Sequence, residues 1–344
     1  MFSKIWLTAS FYSFSPLRGI FSLPVQQWRL HRKLIQPSFN LSILQSFVPL
    51  FDQKVNIMIR NLGAKVDKRE AFDIYRFTAR CTLDMVCEKK ALKEFRRPAK
   101  EILLRKSSSE DHDDIKSTQQ LSFNSLVEQL YSTFRRIGRA NLEVIENEIN
   151  SVIFAGTETS ASTVANTLLL LAMHQDVQEK VVAEIRQHFG DDEENIRYEI
   201  LQKLVYLEMV VKESLRLLPV ASILGRNTSQ EIAVGKHLLP AGVDVAIDVY
   251  NIHRNPTYWG ADADQFRPER FSTNDYNRFA FLPFSAGSRN CIGLRYSMLS
   301  MKTMLTKILA TYRVETDLQL KDLNMKIAFT LKITNGHMVR LTRR

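Results

Sequence analysis

Apolar residues recur at helical spacing along most of the first two-thirds of the chain. Trp28, Leu30, Leu34 and Ile35 lead up to Pro37, and Ile43, Phe47, Leu50, Val55 and Ile59 resume the stripe. Residues 26–60 therefore read as helix, interrupted at the proline. Phe72, Ile74, Phe77, Leu83, Met85 and Val86 predict a second helical run over residues 70–90. Long patterns follow at 121–136, 141–173 and 175–189, the last capped by Asp176 and closed by Gly190. Beyond residue 219 the period shortens. Ile232–Val234 and Val243–Ile247 read as strands around the Pro240–Gly242 turn, and residues 325–341 alternate like a strand pair turning at Asn335-Gly336. The fold class predicted is mainly α with small β-sheets at its edge.

Two stretches break the pattern. Between Lys89 and Gln120 the chain turns charged and weakly periodic, with Lys90, Arg96, Arg97, Pro98 and the run Ser107–Asp114, as expected of a linker or disordered segment. Met1–Val25 is moderately apolar but interrupted by Lys4, Pro16 and Arg18. It does not supply the ~20 consecutive apolar residues of a membrane span, nor the order of a secretory signal.

A chain of 344 residues, 45% hydrophobic, is long enough for a large core. The formal charge of +10 suits nucleic acid, anionic lipid or an acidic protein partner. No basic run with interleaved aromatics supports nucleic acid. The three cysteines, Cys81, Cys87 and Cys291, make no disulfide framework and suit a reducing compartment. Cys81 and Cys87 sit on apolar-periodic helix and read as core.

Cys291 is different. It lies in Phe284–Gly293, flanked by Gly287 and Gly293, directly before a helical stretch starting at Leu294. Glycines permit tight backbone paths there, and a helix N-terminus favours negative charge on the sulfur. A thiolate so placed suits the axial position of haem iron, where it favours O–O cleavage, and Arg289 is placed to meet a haem propionate. A buried free cysteine is the plain alternative. Upstream, Ala155–Ser160 puts a glycine, an acid and clustered hydroxyls in the interior of a predicted helix, where propensity favours none of them. Hydroxyls there bond back to carbonyls one turn earlier and locally open the helix. Glu213 and Arg216 share a helical face, an ordinary surface pair in isolation, but with Leu215, Leu217 and Leu218 as neighbours.

Taken together, these stretches resemble the cytochrome P450 haem-thiolate monooxygenases. Phe284, Gly287, Arg289, Cys291 and Gly293 match the family's cysteine signature, and the other stretches follow in the family's order. The resemblance implies haem b (iron protoporphyrin IX) with Cys291 as the metal ligand. It implies Glu158 and Thr159 as the catalytic acid and alcohol that deliver protons to dioxygen. Glu213 and Arg216 would join Arg270, of Phe266–Phe271, in a buried ion triad bracing the cysteine loop. Trp28 and Arg32 match a propionate-binding helix, and Arg226 a third propionate position. Val220–Leu224 and Ile327–Leu331 correspond to strands lining the substrate pocket, and both are apolar.

The implied reaction inserts one oxygen atom from O2 into an apolar substrate (a fatty acid, a steroid-like molecule or a xenobiotic). Electrons would come from NADPH–cytochrome P450 reductase, with cytochrome b5 as a further partner. The implied setting is the cytosolic face of the endoplasmic reticulum membrane, with no transmembrane anchor in this chain. The order of motifs looks most like the animal family 4 group. Ala155 stands where that group often carries a glutamate that esterifies the haem, so no covalent link is expected. Helices that form the pocket roof in the family have no evident counterpart, as if residues 89–120 replaced them within a single haem domain, 1–344. The alternatives are a truncated, inactive haem-binding remnant and a peroxide-using isomerase or dehydratase, against which the Glu158–Thr159 pair argues.

Overall fold

A computed structural model describes residues 19–66, 70–87, 125–137, 142–189, 195–273 and 275–344. The first helical stretch is divided, as its proline requires. α1 (Val25–Ile35) passes through a 3-10 turn at Gln36–Phe39, and the Asn40 side chain accepts from the Ile43 N–H to start α2 (Leu41–Ser46). α3 (Val48–Val66) buries Val48, Phe51, Val55, Met58 and Leu62, a stripe at helical spacing. β1 (Phe72–Asp73) and α4 (Tyr75–Val86) follow, and then α5 (Leu126–Ile137).

The long helix α6 (Leu142–Met173) is the axis of the molecule. Its second half, Ser160–Ala172, is buried almost without interruption, because α4, α9 (Val205–Leu217) and α12 (Leu294–Thr311) pack around it. α7 (Gln175–Phe189) and α8 (Tyr198–Lys203) complete this helical layer. Asp176 lies inside the first turn of α7 rather than capping it, where its charge still favours the helix N-terminus.

The strands are short. β2 (Ile223–Asn227) pairs with β5 (Asp244–Asp248), and β3 (Ile232–Val234) with β4 (His237–Leu239). The strands expected on either side of the Pro240–Gly242 turn thus belong to different ladders. α10 (Val249–Ile252) and α11 (Pro256–Trp259) lead to a 3-10 turn at Pro268–Phe271. β6 (Tyr312–Glu315) and β1 flank β9 (Met338–Arg343) in one sheet, and β7 (Met325–Ile327) pairs with β8 (Leu331–Ile333). The turn at Asn335-Gly336 is real, with Gly336 at φ 82°, but joins two sheets and closes no hairpin. Asn335 instead accepts from the Asn324 N–H and donates to the Asp322 carbonyl, tying the turn to the preceding loop. Among the described residues no helix is long and apolar enough to cross a membrane. The expected linker at 89–120, Met1–Arg18 and the Gly190 stop lie outside the described residues.

Candidate active site

The cysteine loop enters α12 through a left-handed turn. Ser285 and Gly287 have φ of 60° and 79°, the Asn290 N–H donates to Gly287, and the Cys291 N–H donates to the Phe284 carbonyl at 2.9 Å. A Cβ at Gly287 would meet nothing within 4 Å, so the backbone angle and not crowding selects glycine. Gly293, at φ −87°, needs no special torsion and sits at the cap of α12, with Cys291 Sγ 3.9 Å from where its Cβ would be. Cys291 is exposed as a residue. Its sulfur is nevertheless crowded enough by the chain that burial pushes the thiol pKa up, while the Gly293 N–H and the Arg32 guanidinium pull it down.

Two arginines from distant elements meet on this loop, and a third, Arg289, reaches out from it. Arg32 of α1 donates to the Asn290 carbonyl and to Asn290 Oδ1, at 2.8 and 3.1 Å. Arg226 of β2 donates to Ser285 Oγ at 2.7 Å. Arg289 donates to the Leu23 carbonyl, its guanidinium 4.8 Å from the centre of the buried Trp28 ring.

Beneath the loop lies a buried charge cluster. Arg216 and Glu213 are both fully buried and form a two-pronged pair at 2.7 and 2.8 Å. Arg216 also donates to the carbonyls of His253, Ala263 and Gln265. Arg270 reaches Glu213 at 3.3 Å and Asp262 at 2.9 Å, so the three residues singled out in the sequence do come together, with Asp262 as a fourth. The link to the cysteine loop is His253, which the sequence did not flag. Its Nε2 accepts from the Leu282 N–H at 2.8 Å, and the Leu282 carbonyl accepts from the Ser285 N–H. Burial pushes the His253 pKa down to about 4, so the ring is neutral and can accept.

The first half of α6 has an open side. Ala155 is exposed and Gly156–Thr159 half-buried, in contrast to the buried stretch that follows. A Cβ on Gly156 would lie 3.0 Å from Val86, so α4 and α6 approach closely there. Thr159 Oγ1 donates to the Ala155 carbonyl at 2.6 Å, the back-bond expected of it. The helix is not opened by it, since α6 runs unbroken through the site. Thr78 and Thr82 of α4 add donors to the Ala161 and Thr157 carbonyls and hold the segment in place. Among the described residues no side-chain hydrogen bond joins Glu158 to Thr159. Glu158 accepts from Tyr75 Oη at 2.5 Å and Thr330 Oγ1 at 3.4 Å, and is ion-paired with Lys332.

Around this open side, Phe21, Phe154 and Phe329 form a ring cluster with centroids 5.3 and 5.1 Å apart. Val220 accepts from the Leu331 N–H, so the two segments expected beside a substrate do adjoin. Gly19, at the root of Phe21, has Ser151 Oγ 2.4 Å from where a Cβ would be, and the buried Glu148 binds the Ile20 N–H and His31. The residues present fit a haem. A thiol suits the iron, guanidinium groups gathered around one loop suit two carboxylates, and the exposed Ala155 and half-buried Gly156 on α6 leave room for a flat ligand.

The cytochrome P450 family profile matches residues 2–96 and 89–339. The chain belongs to the cytochrome P450 family. It is 29% identical to the probable cytochrome P450 313a4 of Drosophila melanogaster over 383 aligned residues, 95% of this chain and 77% of that protein. It is 27% identical to mouse cytochrome P450 4V2 and 26% to Drosophila cytochrome P450 4c3, covering 95% of this chain and 74% of each relative. Family 4 members are thus among its relatives. As a cytochrome P450 it is a haem-dependent monooxygenase, an activity that involves O2, an organic substrate and redox partners. Besides His253, sequence reading missed Tyr75 and Lys332, which face Glu158 from α4 and β8. Lys332, a polar group set between Leu331 and Ile333, carries a local signal, whereas Tyr75 at the start of α4 and His253 at the end of α10 carry none.

Proposed function

We propose that this P450 inserts one oxygen atom from O2 into an apolar substrate, with electrons from a flavoprotein reductase. The observation that carries the reading is the cysteine loop, a thiol-bearing turn that carries Arg289 and onto which Arg32 and Arg226 converge. Cys291 would ligate the iron, and those arginines with Trp28 would hold the haem carboxylates. When bound, the haem supplies dioxygen activation. Thr159 and Glu158 deliver protons on the open side of α6. The Glu213–Arg216–Arg270 cluster fixes the loop through His253. The ring cluster of Phe21, Phe154 and Phe329 favours an apolar substrate, with a fatty acid, steroid-like or xenobiotic skeleton.

The net charge of +10 supports docking of an acidic reductase such as NADPH–cytochrome P450 reductase, with cytochrome b5 as a second donor. Family membership supports the cytosolic face of the endoplasmic reticulum membrane. The profile matches in two stretches that meet at residues 89–96, which supports one haem domain lacking an internal segment. Reconstitution with the reductase and isotopically labelled dioxygen tests the reading. One labelled oxygen per product molecule is expected from an apolar substrate, and unlabelled product oxygen, drawn from water, would refute it.

A further inference from the structure

The acid on α6 is engaged on both oxygens by groups outside the motif that contains it. Tyr75 Oη holds Oε2 at 2.5 Å, while Lys332 and Thr330 share Oε1. Tyr75 opens α4 and Lys332 sits on β8, so two elements far apart in sequence close on one carboxylate. The environment is graded. The Lys332 side chain is 41% exposed and that of Glu158 20%, so the lysine is the more solvent-exposed member of the pair. Lys326 is the β7 partner of Lys332, and like charges side by side favour turning one ammonium toward Glu158. Among the described residues, the other charged or titratable groups facing this cluster are Asp73 and His337. His337 stacks on Tyr75 at 5.8 Å, and burial pushes its pKa down to about 4.

We infer that Lys332 is the solvent-side entry of the proton path, acting through Glu158, with Tyr75 fixing the carboxylate that receives the proton. In the transfer a Lys332 N–H bond breaks and a Glu158 Oε1–H bond forms. The neutral amine regains its proton from solvent, and Glu158 passes its own on toward the Thr159 side of α6. No oxidant or reductant is consumed. Partial burial lowers the Lys332 pKa, which makes the ammonium a readier donor than a solvated lysine. Tyr75, whose pKa burial raises, stays a protonated donor to the other oxygen.

The inference rests on the proposed role of Glu158, and the experiment separates the two. Lys332→Met and Lys332→Arg are made with Glu158 intact and with Glu158→Gln, all in the haem-loaded chain. Denaturant unfolding gives the pairing without any turnover. Lys332→Met should change the folding equilibrium about two- to fivefold more when Glu158 is present, the range for a partly exposed ion pair. With reductase, the share of electrons lost to hydrogen peroxide is then measured. Arginine keeps the charge and the pair but does not release a proton in proteins. Both Lys332 variants should therefore raise the peroxide share, and only with Glu158 present. Rescue by Lys332→Arg would reduce Lys332 to an electrostatic brace and overturn the inference. So would an effect that persists in Glu158→Gln, no change in either variant, or absence of the unfolding coupling. If Glu158→Gln itself leaves the peroxide share unchanged, the proposed role of Glu158 fails as well.

Discussion

Replacing Arg216 by alanine should destabilise the protein and empty its haem site together. The guanidinium is fully buried and donates to both Glu213 oxygens and to the carbonyls of His253, Ala263 and Gln265. Its loss leaves Glu213 buried, with Arg270 at 3.3 Å and the Arg267 N–H at 2.9 Å as remaining partners. Breaking one side of a buried ion pair costs about 3–5 kcal/mol. The released carbonyls add to that without summing in full, because contributions within one contacting network are not additive. Against a typical domain stability of about 5–15 kcal/mol, the loss is a large share. The damage should reach the cysteine loop, because His253 gives its carbonyl to Arg216 and its Nε2 to Leu282. The assay is urea unfolding of the purified protein with haem content on the same preparation. Arg216→Lys, which keeps the charge but not the fork, serves as the milder variant if alanine does not fold. A loss below about 1 kcal/mol, or full haem occupancy with only slower turnover, would refute the bracing role.

Two further outcomes follow from the same geometry. Stability should fall as pH drops from 6.5 toward 4, because unfolded histidine takes up a proton in that window and His253, with its pKa near 4, does not. The cost reaches about 3 kcal/mol at the acid end. His337 titrates in the same window, so the difference between parent and His253→Gln in unfolding at pH 7 and 4.5 isolates His253. An identical slope in both proteins would contradict the assignment. Thr159→Ala should leave haem content unchanged and lower product formed per electron, by up to about a hundredfold, with the balance appearing as hydrogen peroxide. Unchanged coupling in a reductase assay would remove Thr159 from the proton path.

Much of the helical frame was legible because its signals are local. The apolar stripes over 141–173 and 175–189 correspond to α6 and α7 almost residue for residue. The cysteine turn could be read for the same reason: Gly287 marks a left-handed torsion that sequence alone suggests. What was missed depends on contacts across the chain. Val243–Ile247 and Ile232–Val234 are each strand-like, but nothing local says that their partners are Ile223–Asn227 and His237–Leu239. Asn335-Gly336 has hairpin chemistry, yet side-chain bonds to Asn324 and Asp322 commit it to a loop. His253, Tyr75 and Lys332 became visible only when the fold set them against Arg216 and Glu158.

The central claim is that Cys291 supplies the thiolate beneath the haem. The most direct measurement is the carbon-monoxide difference spectrum of the reduced, haem-loaded protein, taken on the parent and on Cys291→Ala, Cys81→Ala and Cys87→Ala. Cys81 and Cys87 are buried in the helical core, whereas Cys291 is exposed on its turn. A thiolate-type band is expected in the parent and in the Cys81 and Cys87 variants, and none in Cys291→Ala. A thiolate-type band that survives the loss of Cys291 would contradict the claim.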